Sequence, residues 1–422
     1  MILKTDGTTQ SFSDLARQHR FIMPKLLQIN VTANWGSTGK IAELIGREAM
    51  AQGWESHIAY GRYCNLSESK LIKIGNKLDT WIHFAGQRIF DNEGLWSKGA
   101  TRRLIQRIEE IKPDIVHLHN IHDHYINYRL LFEFLNRSDI KVVWTMHDFW
   151  AITGHCMHFI SKRCDQFETQ CHDCPMRTVY PKSFIDRSKE TYDLKKKLFS
   201  SNKNMSIVAV SDWVGNQFRR SFLKDKPLYV IPNGIDLSMF KPTSSESDLF
   251  EGKFVIMSVA SQWRHDKGLE HYIALSKQLA NDEVIVLVGV DKLLKEKLPP
   301  NIIGIEPVFD VLHLAALYTR ADVVTIMSSA ETFGLTVVEG YACGTPAVVF
   351  DNSAPPHLIT HQTGYVVPDG NVDAAYHAIK NVRNKGKMSY SGACITLASN
   401  KYDKRISTRK YISLYESILQ VN

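Results

Sequence analysis

Short apolar runs alternate with stretches of helical periodicity along the first half of the chain. Lys25–Val31, Ile115–His119 and Lys141–Thr145 are apolar runs of strand length, which predicts buried β-strands. The first run is followed by IAELIGREAMAQG, in which apolar residues recur at helical spacing until Gly53 ends the pattern. Strands that alternate with helices in this way form parallel sheets. The first half is therefore predicted to be an α/β domain.

The alternation begins again in the second half. Phe254–Ala260, Val284–Val288 and Asp322–Met327 are further apolar runs, and helical patterns separate them. The stretch 241–251, KPTSSESDLFE, is polar and poor in apolar residues, so we interpret it as a linker. Two doubly wound, Rossmann-like parallel-sheet domains joined by a linker would face each other across a cleft, and binding pockets favour such interfaces.

These patterns give approximate domain boundaries. The N-terminal domain is predicted over residues 23–240 and the C-terminal domain over 252–400. Residues 1–22 lack an element pattern and are expected to be a disordered extension, so Met23 is a candidate for the natural start. Residues 401–422 have the pattern of an amphipathic terminal helix.

Composition and charge narrow the class of protein. A chain of 422 residues with 44% apolar and 23% charged residues is too long for one core and has an ordinary globular composition. The net charge of +7 fits anionic partners, such as nucleotide phosphates or an acidic membrane surface, but no Lys/Arg run is dense enough for a nucleic-acid binder. No apolar stretch reaches the ~18–20 residues of a membrane span, and the N-terminus does not resemble a signal peptide. We therefore expect a cytoplasmic protein.

A glycine-containing loop follows the first predicted strand. Its sequence, NWGSTGK, ends at Lys40, but Asn34 occupies the place of the first P-loop glycine and Ile41 the place of its Ser or Thr. The loop also lacks the G-x-G-x-x-G pattern of dinucleotide-binding oxidoreductases. It remains a loop at the carboxyl end of a strand, where ligands of open α/β sheets bind. Gly36 is its candidate ligand contact.

Four cysteines lie close together in the segment 155–175. Thiols clustered in a cytoplasmic chain indicate a metal site rather than a disulfide framework. One pair has the two-residue spacing typical of zinc, and four thiolates complete a tetrahedral structural site with no open position for catalysis. Reduced buried cysteines or a redox pair are the alternatives. The predicted ligands of a structural zinc are Cys156, Cys164, Cys171 and Cys174.

The stretch Ser329–Pro346 carries two glutamates at a strand-to-helix junction. Glu331 falls in the loop and Glu339 about two turns into the following helix. The first N–H groups of a helix are unpaired and lie at its positive end, so this junction favours phosphate or sugar hydroxyls. His147 lies at the carboxyl end of the strand Lys141–Thr145 in the first domain, where doubly wound folds keep active-site residues. The alternatives are a solvated helix with two surface glutamates and a structural histidine.

Several motifs together resemble a known family. The chain is similar to the retaining glycosyltransferases of family 4, which have the GT-B fold. A further segment, HDFWAITGHC with its three following cysteines, resembles a branch of bacterial exopolysaccharide enzymes, such as the colanic-acid transferases. The motifs that carry the family resemblance are VAVSDW (208–213), VIPNGID (230–236), DKGL (266–269), ETFGLTVVEGYACGTPAV (331–348) and TGYVVPDGN (363–371).

The resemblance implies roles for these residues. Glu331 would contact hydroxyls of the donor sugar, and Glu339 would hold the ribose of the nucleotide. His147 would lie beside the transferred sugar, and Lys267 would neutralise the diphosphate. The implied catalytic residues are His147, Lys267 and Glu331, and the implied donor-binding residues are Gly36, Arg264, Lys267, Glu331, Phe333, Gly334, Leu335 and Glu339.

One position departs from the family pattern. Where the family has a phosphate-binding arginine, this chain has Gln262, and Arg264 is the nearest replacement in the loop. With one positive charge instead of two, donor binding or activity would be weak. The alternatives are therefore a nucleotide-sugar-binding homologue with little or no activity and a sugar-nucleotide epimerase of the same fold.

The resemblance also implies partners. The donor would be a nucleotide-diphosphate sugar and the acceptor a saccharide, also in lipid-linked form, in cell-surface polysaccharide synthesis. No Asp-x-Asp triplet is present, so catalysis is expected to need no cofactor. The terminal helix would return to the N-terminal domain. Contact with the inner face of the membrane is considered for the basic segment 102–112, which also fits an ordinary solvated helix.

Overall fold

The computed structural model describes residues 23–243 and 250–420. The predicted extension 1–22 and most of the predicted linker 241–251 lie outside the described residues.

Seven parallel strands form the first sheet, in the order β3-β2-β1-β4-β5-β6-β7. The sheet turns back at β1, as in a doubly wound fold. The strands are β1 (Lys25–Asn30), β2 (Glu55–Tyr60), β3 (Lys70–Lys73), β4 (Ile115–Leu118), β5 (Lys141–Met146), β6 (Met205–Ala209) and β7 (Leu228–Val230). The helices are α1 (Gly36–Ala51), α2 (Lys77–Phe90), α3 (Lys98–Ile111), α4 (Tyr128–Leu135), α5 (Ser188–Ser200) and α6 (Asp212–Arg219).

Six parallel strands form the second sheet, in the order β10-β9-β8-β11-β12-β13. The prediction of two doubly wound parallel sheets is confirmed. The strands are β8 (Phe254–Val259), β9 (Glu283–Val288), β10 (Ile302–Ile305), β11 (Val323–Ile326), β12 (Ala347–Asp351) and β13 (Gly364–Pro368). The helices are α7 (Leu269–Ser276), α8 (Lys292–Lys295), α9 (Val311–Arg320), α10 (Leu335–Ala342), α11 (Val372–Lys385), α12 (Met388–Lys401) and α13 (Lys404–Gln420).

The local structure differs from the sequence prediction at two places in the first domain. The glycine-containing loop is shorter than predicted, because α1 already begins at Gly36. Strand β3 and helix α2 were not predicted. The strand is mostly exposed and has no apolar run, while the helix buries His83, Gly86 and Gln87 and leaves most of its large apolar side chains exposed.

The last helix, α13, packs on the first sheet. Tyr411 and Tyr415 are buried in one cluster with residues of β1, β4, β5 and β6. The Tyr411 hydroxyl lies 3.0 Å from Thr145 Oγ1, and the Tyr415 hydroxyl lies 2.6 Å from His117 Nδ1. The chain therefore returns to the first domain after completing the second. No helix of the described chain is both long and apolar enough to cross a bilayer.

Candidate active site

Two loops of the second domain meet at the carboxyl ends of β8 and β11. The Ser329 N–H donates to the carbonyl of Asp266 at 3.0 Å, which holds the loops together. Lys267 Nζ lies 2.6 Å from Glu331 Oε1, so the predicted phosphate-binding and sugar-binding residues form an ion pair. Burial opposes the charged form of Lys267, but the Glu331 carboxylate holds its pKa above the ordinary value. The lysine is therefore a cation at neutral pH.

Gly268 allows the Lys267 loop to lie close to the carboxyl end of β11. Its φ of +74° lies in the left-handed region, and a Cβ there would be 2.0 Å from the carbonyl oxygen of Met327. A side chain at this position would push the Lys267 loop away from β11. Gly252 also has a positive φ, of +70°, but a Cβ there would meet nothing within 4 Å.

We expect Gly268→Ala to lower the apparent melting temperature by at least about 4 °C more than Gly252→Ala. Both variants carry the left-handed strain of about 1–2 kcal/mol, so the difference isolates the clash with Met327. Thermal unfolding of both variants measures it. Equal shifts would show that the loops tolerate a side chain between them.

The loop before α10 is built for contact through its backbone. Gly334 has a φ of +100°, and α10 begins at the next residue, Leu335, so the first N–H groups of the helix open at this turn. Phe333 is buried and packs edge-on against Tyr402 at 5.8 Å between ring centres. The Ser211 hydroxyl donates to the carbonyl of Thr332 at 2.8 Å. The N-terminal domain thus touches the loop directly.

Glu339 lies half-buried on α10. Its Oε2 accepts a hydrogen bond of 2.7 Å from the Tyr318 hydroxyl. Burial raises the pKa of Glu339, while the hydrogen bond from Tyr318 and the charge of Lys40 act in the opposite direction. Because Lys40 belongs to α1, the start of that helix faces Glu339 across the cleft. Gly36 forms the exposed first residue of α1.

The loop with Gln262 and Arg264 is anchored by the residue between them. Trp263 is buried, and its Nε1 donates to the Val288 carbonyl at 2.9 Å. Gln262 and Arg264 are therefore exposed on either side of this anchor. The Arg264 guanidinium makes two contacts of 3.2 Å with Asp266 and acts electrostatically on the neighbouring lysine of the site. Such an exposed ion pair is weak enough to be exchanged for an anionic ligand.

His147 ends a chain of buried hydrogen bonds that determines its tautomer. The amide nitrogen of Gln28 donates to the Ala42 carbonyl at 2.7 Å, so its Oε1 faces His119 Nε2 at 3.0 Å and accepts from it. His119 Nδ1 lies 3.1 Å from His147 Nε2. Burial keeps the pKa of His119 well below its ordinary value, so this ring is neutral and its Nδ1 is an acceptor. His147 Nε2 therefore carries the proton.

The same chain determines what His147 can do. Burial lowers its pKa to about 4, although Asp148 acts in the opposite direction. The ring is neutral at physiological pH, and Nδ1 is its acceptor nitrogen. His147 can thus accept a hydrogen bond from a sugar hydroxyl but cannot supply a positive charge to a diphosphate. Sequence reasoning missed Gln28, because a polar residue in a buried strand has no local signal for this role.

A buried His–Glu–His group lies in the same domain. His83, Glu93 and His124 are the one described group of three such side chains whose ligand atoms all lie within 4.8 Å of one another. Glu93 Oε1 already accepts the N–H groups of Asp123 and His124, and its Oε2 lies 2.5 Å from His124 Nδ1. The carboxylate thus already accepts hydrogen bonds from the loop after β4, in which Asp123 and His124 both have a positive φ. This group stabilises the loop.

The cysteine segment forms a wall of the cleft. Ile160, Ser161 and Arg163 line a cavity of about 520 Å³ whose other wall comes from the second domain. Burial lowers the pKa of His158, and the charges of Lys267 and Glu331 also act on this ring. The segment therefore reaches the neighbourhood of the candidate active site.

Both halves of the chain match family models. Residues 39–239 match the model described as Glycosyltransferase Family 4, and residues 240–391 match Glycosyl transferases group 1. These two ranges contain all the candidate donor-binding residues except Gly36.

Curated relatives match at low identity. The putative colanic acid biosynthesis glycosyl transferase WcaC of Escherichia coli K12 is 24% identical over 82% of this chain and 88% of its own length. The O-antigen chain mannosyltransferase RfbU of Salmonella typhimurium is 24% identical over 57% of this chain and 70% of its own length.

Solved structures share the fold. Sucrose-phosphate synthase from Thermosynechococcus elongatus superposes with a TM-score of 0.70 at 15% identity, over 94% of this chain and 100% of that chain. HepE from Anabaena, in complex with UDP, superposes with a TM-score of 0.63 at 14% identity, over 94% and 100%.

Proposed function

This chain belongs to glycosyltransferase family 4, and we propose that it transfers a sugar from a nucleotide-diphosphate sugar to a saccharide with retention of configuration. The observation that supports this donor is the pair of Lys267 and Glu331, 2.6 Å apart beside the start of α10. A cation and helix N–H groups suit the diphosphate, and the carboxylate suits sugar hydroxyls. Glu339 is the ribose-binding residue in this proposal.

Breaking the bond between the sugar and the diphosphate leaves negative charge on the diphosphate. Lys267 and the first N–H groups of α10 stabilise that charge, with Arg264 as the second cation once it leaves Asp266. These groups can carry the leaving-group charge without a divalent metal, so we propose metal-independent transfer.

Retention in this proposal proceeds from one face of the sugar. The acceptor hydroxyl attacks the anomeric carbon as the diphosphate leaves, and the proton of that hydroxyl passes to the leaving phosphate oxygen. Glu331 is engaged by Lys267 and by the Ser328 hydroxyl at 3.1 Å, while Glu339 is engaged by Tyr318. These contacts favour binding roles over nucleophilic attack for both carboxylates.

The experiment is a donor screen followed by transfer. We expect one nucleotide sugar to raise the melting temperature of the full chain, and transfer from it to an oligosaccharide to give a product with the donor's anomeric configuration by NMR. Stabilisation without transfer to any acceptor would favour the inactive binding homologue that Gln262 suggests. Conversion of the nucleotide sugar to its epimer, without transfer to an acceptor, would favour the epimerase.

The relatives indicate the acceptor class. Two of them are named for colanic acid and O-antigen synthesis. We propose that this chain acts on a growing cell-surface polysaccharide, and that its acceptor is carried on a lipid.

Helix α2 offers a surface for the membrane that would hold such an acceptor. Leu78, Trp81, Ile82 and Ile89 recur at helical spacing, and their exposed fractions lie between 45% and 67%. The side of the helix that faces the domain is polar. Phe184, which is 66% exposed, extends this apolar surface, because its N–H donates to the Arg88 carbonyl.

Basic residues border this apolar surface. Arg88 belongs to α2 itself, and Arg103 of α3 lies 3.8 Å from Asp79 near the start of α2. An exposed apolar helix face with basic neighbours is typical of interfacial helices that bind anionic bilayers. We propose that α2 holds the first domain on an anionic membrane.

We expect Trp81→Ser combined with Ile82→Ser to reduce binding to anionic vesicles at least about tenfold in full-length protein. Transfer to a water-soluble acceptor should stay unchanged. The control is Leu293→Ser combined with Phe309→Ser, because these side chains are 73% and 88% exposed on the other domain. Vesicle sedimentation measures binding. The proposal would be contradicted if both double variants bound anionic vesicles equally well. It would also be contradicted if the unchanged protein bound vesicles without anionic lipid as tightly as anionic ones.

A further inference from the structure

Two exposed aromatic rings lie side by side at the carboxyl edge of the first sheet. Trp35 follows β1 and Tyr63 follows β2, and their ring centres are 4.8 Å apart. Their exposed fractions are 43% and 51%. Single exposed apolar residues are ordinary, but two large rings in contact form an apolar surface that a ligand can cover. We call this pair the aromatic platform.

Hydrogen bonds hold the two loops of the platform together. The Ala33 N–H donates to the Tyr63 carbonyl at 3.0 Å, and the Asn65 N–H donates back to the Ala33 carbonyl at 3.0 Å. The side-chain amide of Asn65 also donates to the Asn34 carbonyl at 2.9 Å. The loops are thus fixed to each other and to the sheet. A ligand that covers the rings therefore has little backbone to order when it binds.

The backbone around Trp35 is adapted to its outward position. Asn34 and Gly36, on either side of it, have φ values of +47° and +64°, in the left-handed region. The Thr32 hydroxyl donates to the Trp35 carbonyl at 2.7 Å. A left-handed residue other than glycine costs free energy, and such residues are concentrated at ligand sites. The turn thus holds Trp35 at the surface at a conformational cost.

Polar groups border the platform. The Arg62 guanidinium lies 5.4 Å from the centre of the Tyr63 ring. It donates to Asp123 Oδ2 at 2.9 Å, and the Tyr180 hydroxyl donates to the other oxygen of that carboxylate. The Arg62 and Asp123 side chains are both partly exposed. An apolar surface beside charged hydrogen-bonding groups suits a sugar ring, which has an apolar C–H face and hydroxyls around its edge.

The platform faces the same cleft as the candidate active site. All seven strands of the first sheet are parallel, so their carboxyl ends share one edge. Ser211 follows β6 at this edge and contacts Thr332 of the second domain, while His147 follows β5. Because β1 and β5 are two strands apart in the sheet, the platform begins about 10 Å along the edge from the strand of His147. The platform is therefore beside the place of the transferred sugar.

We propose that the aromatic platform binds one sugar ring of the saccharide acceptor, at a distance from the hydroxyl that receives the transferred sugar. The C–H face of that ring packs against Trp35 and Tyr63, and its hydroxyls bind the pair of Arg62 and Asp123. The proposal rests on the proposed transfer reaction, and it assigns the acceptor a binding site on the first domain.

The donor is a less suitable occupant of the platform. Lys267 and the first N–H groups of α10 suit its diphosphate and Glu339 suits its ribose, and all of these groups belong to the second domain. A lipid chain is also less suitable, because the charged pair would lose hydration to it without gaining a polar partner. A sugar ring offers hydroxyls to both charges.

The first test is saccharide binding by the full chain, which does not depend on transfer. The probes are the methyl pyranosides of glucose, galactose, mannose and fucose, and saturation-transfer difference NMR with irradiation of aromatic protons measures their contact. We expect at least one probe to receive saturation, and Trp35→Ala combined with Tyr63→Ala to reduce it at least about fivefold. Trp35→Phe keeps a ring and should retain most of the signal.

The matched control is Tyr229→Ala. Tyr229 lies on β7 of the same domain and is 40% exposed, so it reports on the loss of an exposed ring elsewhere. This variant should keep the full signal. The proposal would be overturned by the absence of saturation transfer to every probe, or by an equal signal in the double alanine variant.

The second test uses transfer and separates acceptor from donor. With the donor found by the screen, Trp35→Ala should raise the KM for an oligosaccharide acceptor about tenfold and leave donor affinity by calorimetry unchanged. A loss of donor affinity with an unchanged acceptor KM would assign the platform to the donor and overturn the proposal. Platform-dependent saccharide binding in a chain that transfers no sugar would instead contradict the proposed function and leave the platform as a saccharide site.

Discussion

Replacing Lys267 with methionine should lower sugar transfer at least about a thousandfold, because the charge on the leaving diphosphate then loses its partly buried cation. Methionine keeps the aliphatic stem and the volume of the side chain. We expect the loss in kcat rather than in donor binding, since this charge develops fully only as the bond breaks. Steady-state kinetics with the donor found by the screen, together with donor affinity by calorimetry, separates the two.

The control for this prediction is Lys253→Met. Lys253 belongs to the same domain, and its Nζ also makes a single hydrogen bond, to the Asn281 carbonyl at 2.7 Å, but it is exposed. It should leave transfer unchanged. Glu331→Gln should also remove most activity, because the amide loses the ion pair with Lys267 and accepts sugar hydroxyls less strongly. If the Lys267 variant kept more than about a tenth of the activity, another group would have to stabilise the diphosphate.

His147→Ala should lower transfer about a hundredfold, because in the proposed reaction the neutral imidazole accepts a hydrogen bond from the donor sugar and orients it. The pH profile distinguishes this role from that of a cation. With a pKa of about 4, His147 stays neutral between pH 8 and about pH 5, so its protonation should not reduce activity in that range. A fall in activity with an apparent pKa near 6.5 that vanishes in His147→Ala would contradict the assignment.

Gln28 tests how His147 is positioned. Gln28→Leu removes the acceptor for His119 Nε2, so the proton distribution along the two imidazoles should change. Nitrogen chemical shifts of labelled histidine report the tautomer directly. We expect a mixed tautomer at His147 and a loss of activity of about tenfold, whereas a merely structural effect would leave the tautomer unchanged.

Much of the fold follows from sequence pattern because parallel strands are buried on both faces. Runs such as Phe254–Ala260 are continuous in apolar residues, and flanking helical patterns leave few other arrangements. Helix α2 could not be predicted this way. Its apolar side chains face outward, so the pattern of Leu78, Trp81 and Ile82 does not point to the core.

Part of the candidate site could likewise be predicted from the sequence, and part could not. Lys267, Glu331 and Glu339 lie in short motifs, so the sequence contains both the residue types and their spacing. Contacts between distant segments have no such signal. The hydrogen bond from Ser211 to Thr332 joins residues 121 positions apart, and that from His119 to Gln28 spans 91. The first pair depends on how the two domains are placed, and the second on β1 and β4 being neighbours in the first sheet.

The position of α13 has a consequence for how the protein is made. Tyr411 and Tyr415 complete the core of the first domain, but they are translated after the whole of the second domain. The first domain can therefore begin to fold early in synthesis and cannot finish until the second domain has been translated. A fragment that ends near residue 240 should thus expose the apolar surface that α13 covers, and the two domains should not behave as separable units when the chain is cut there.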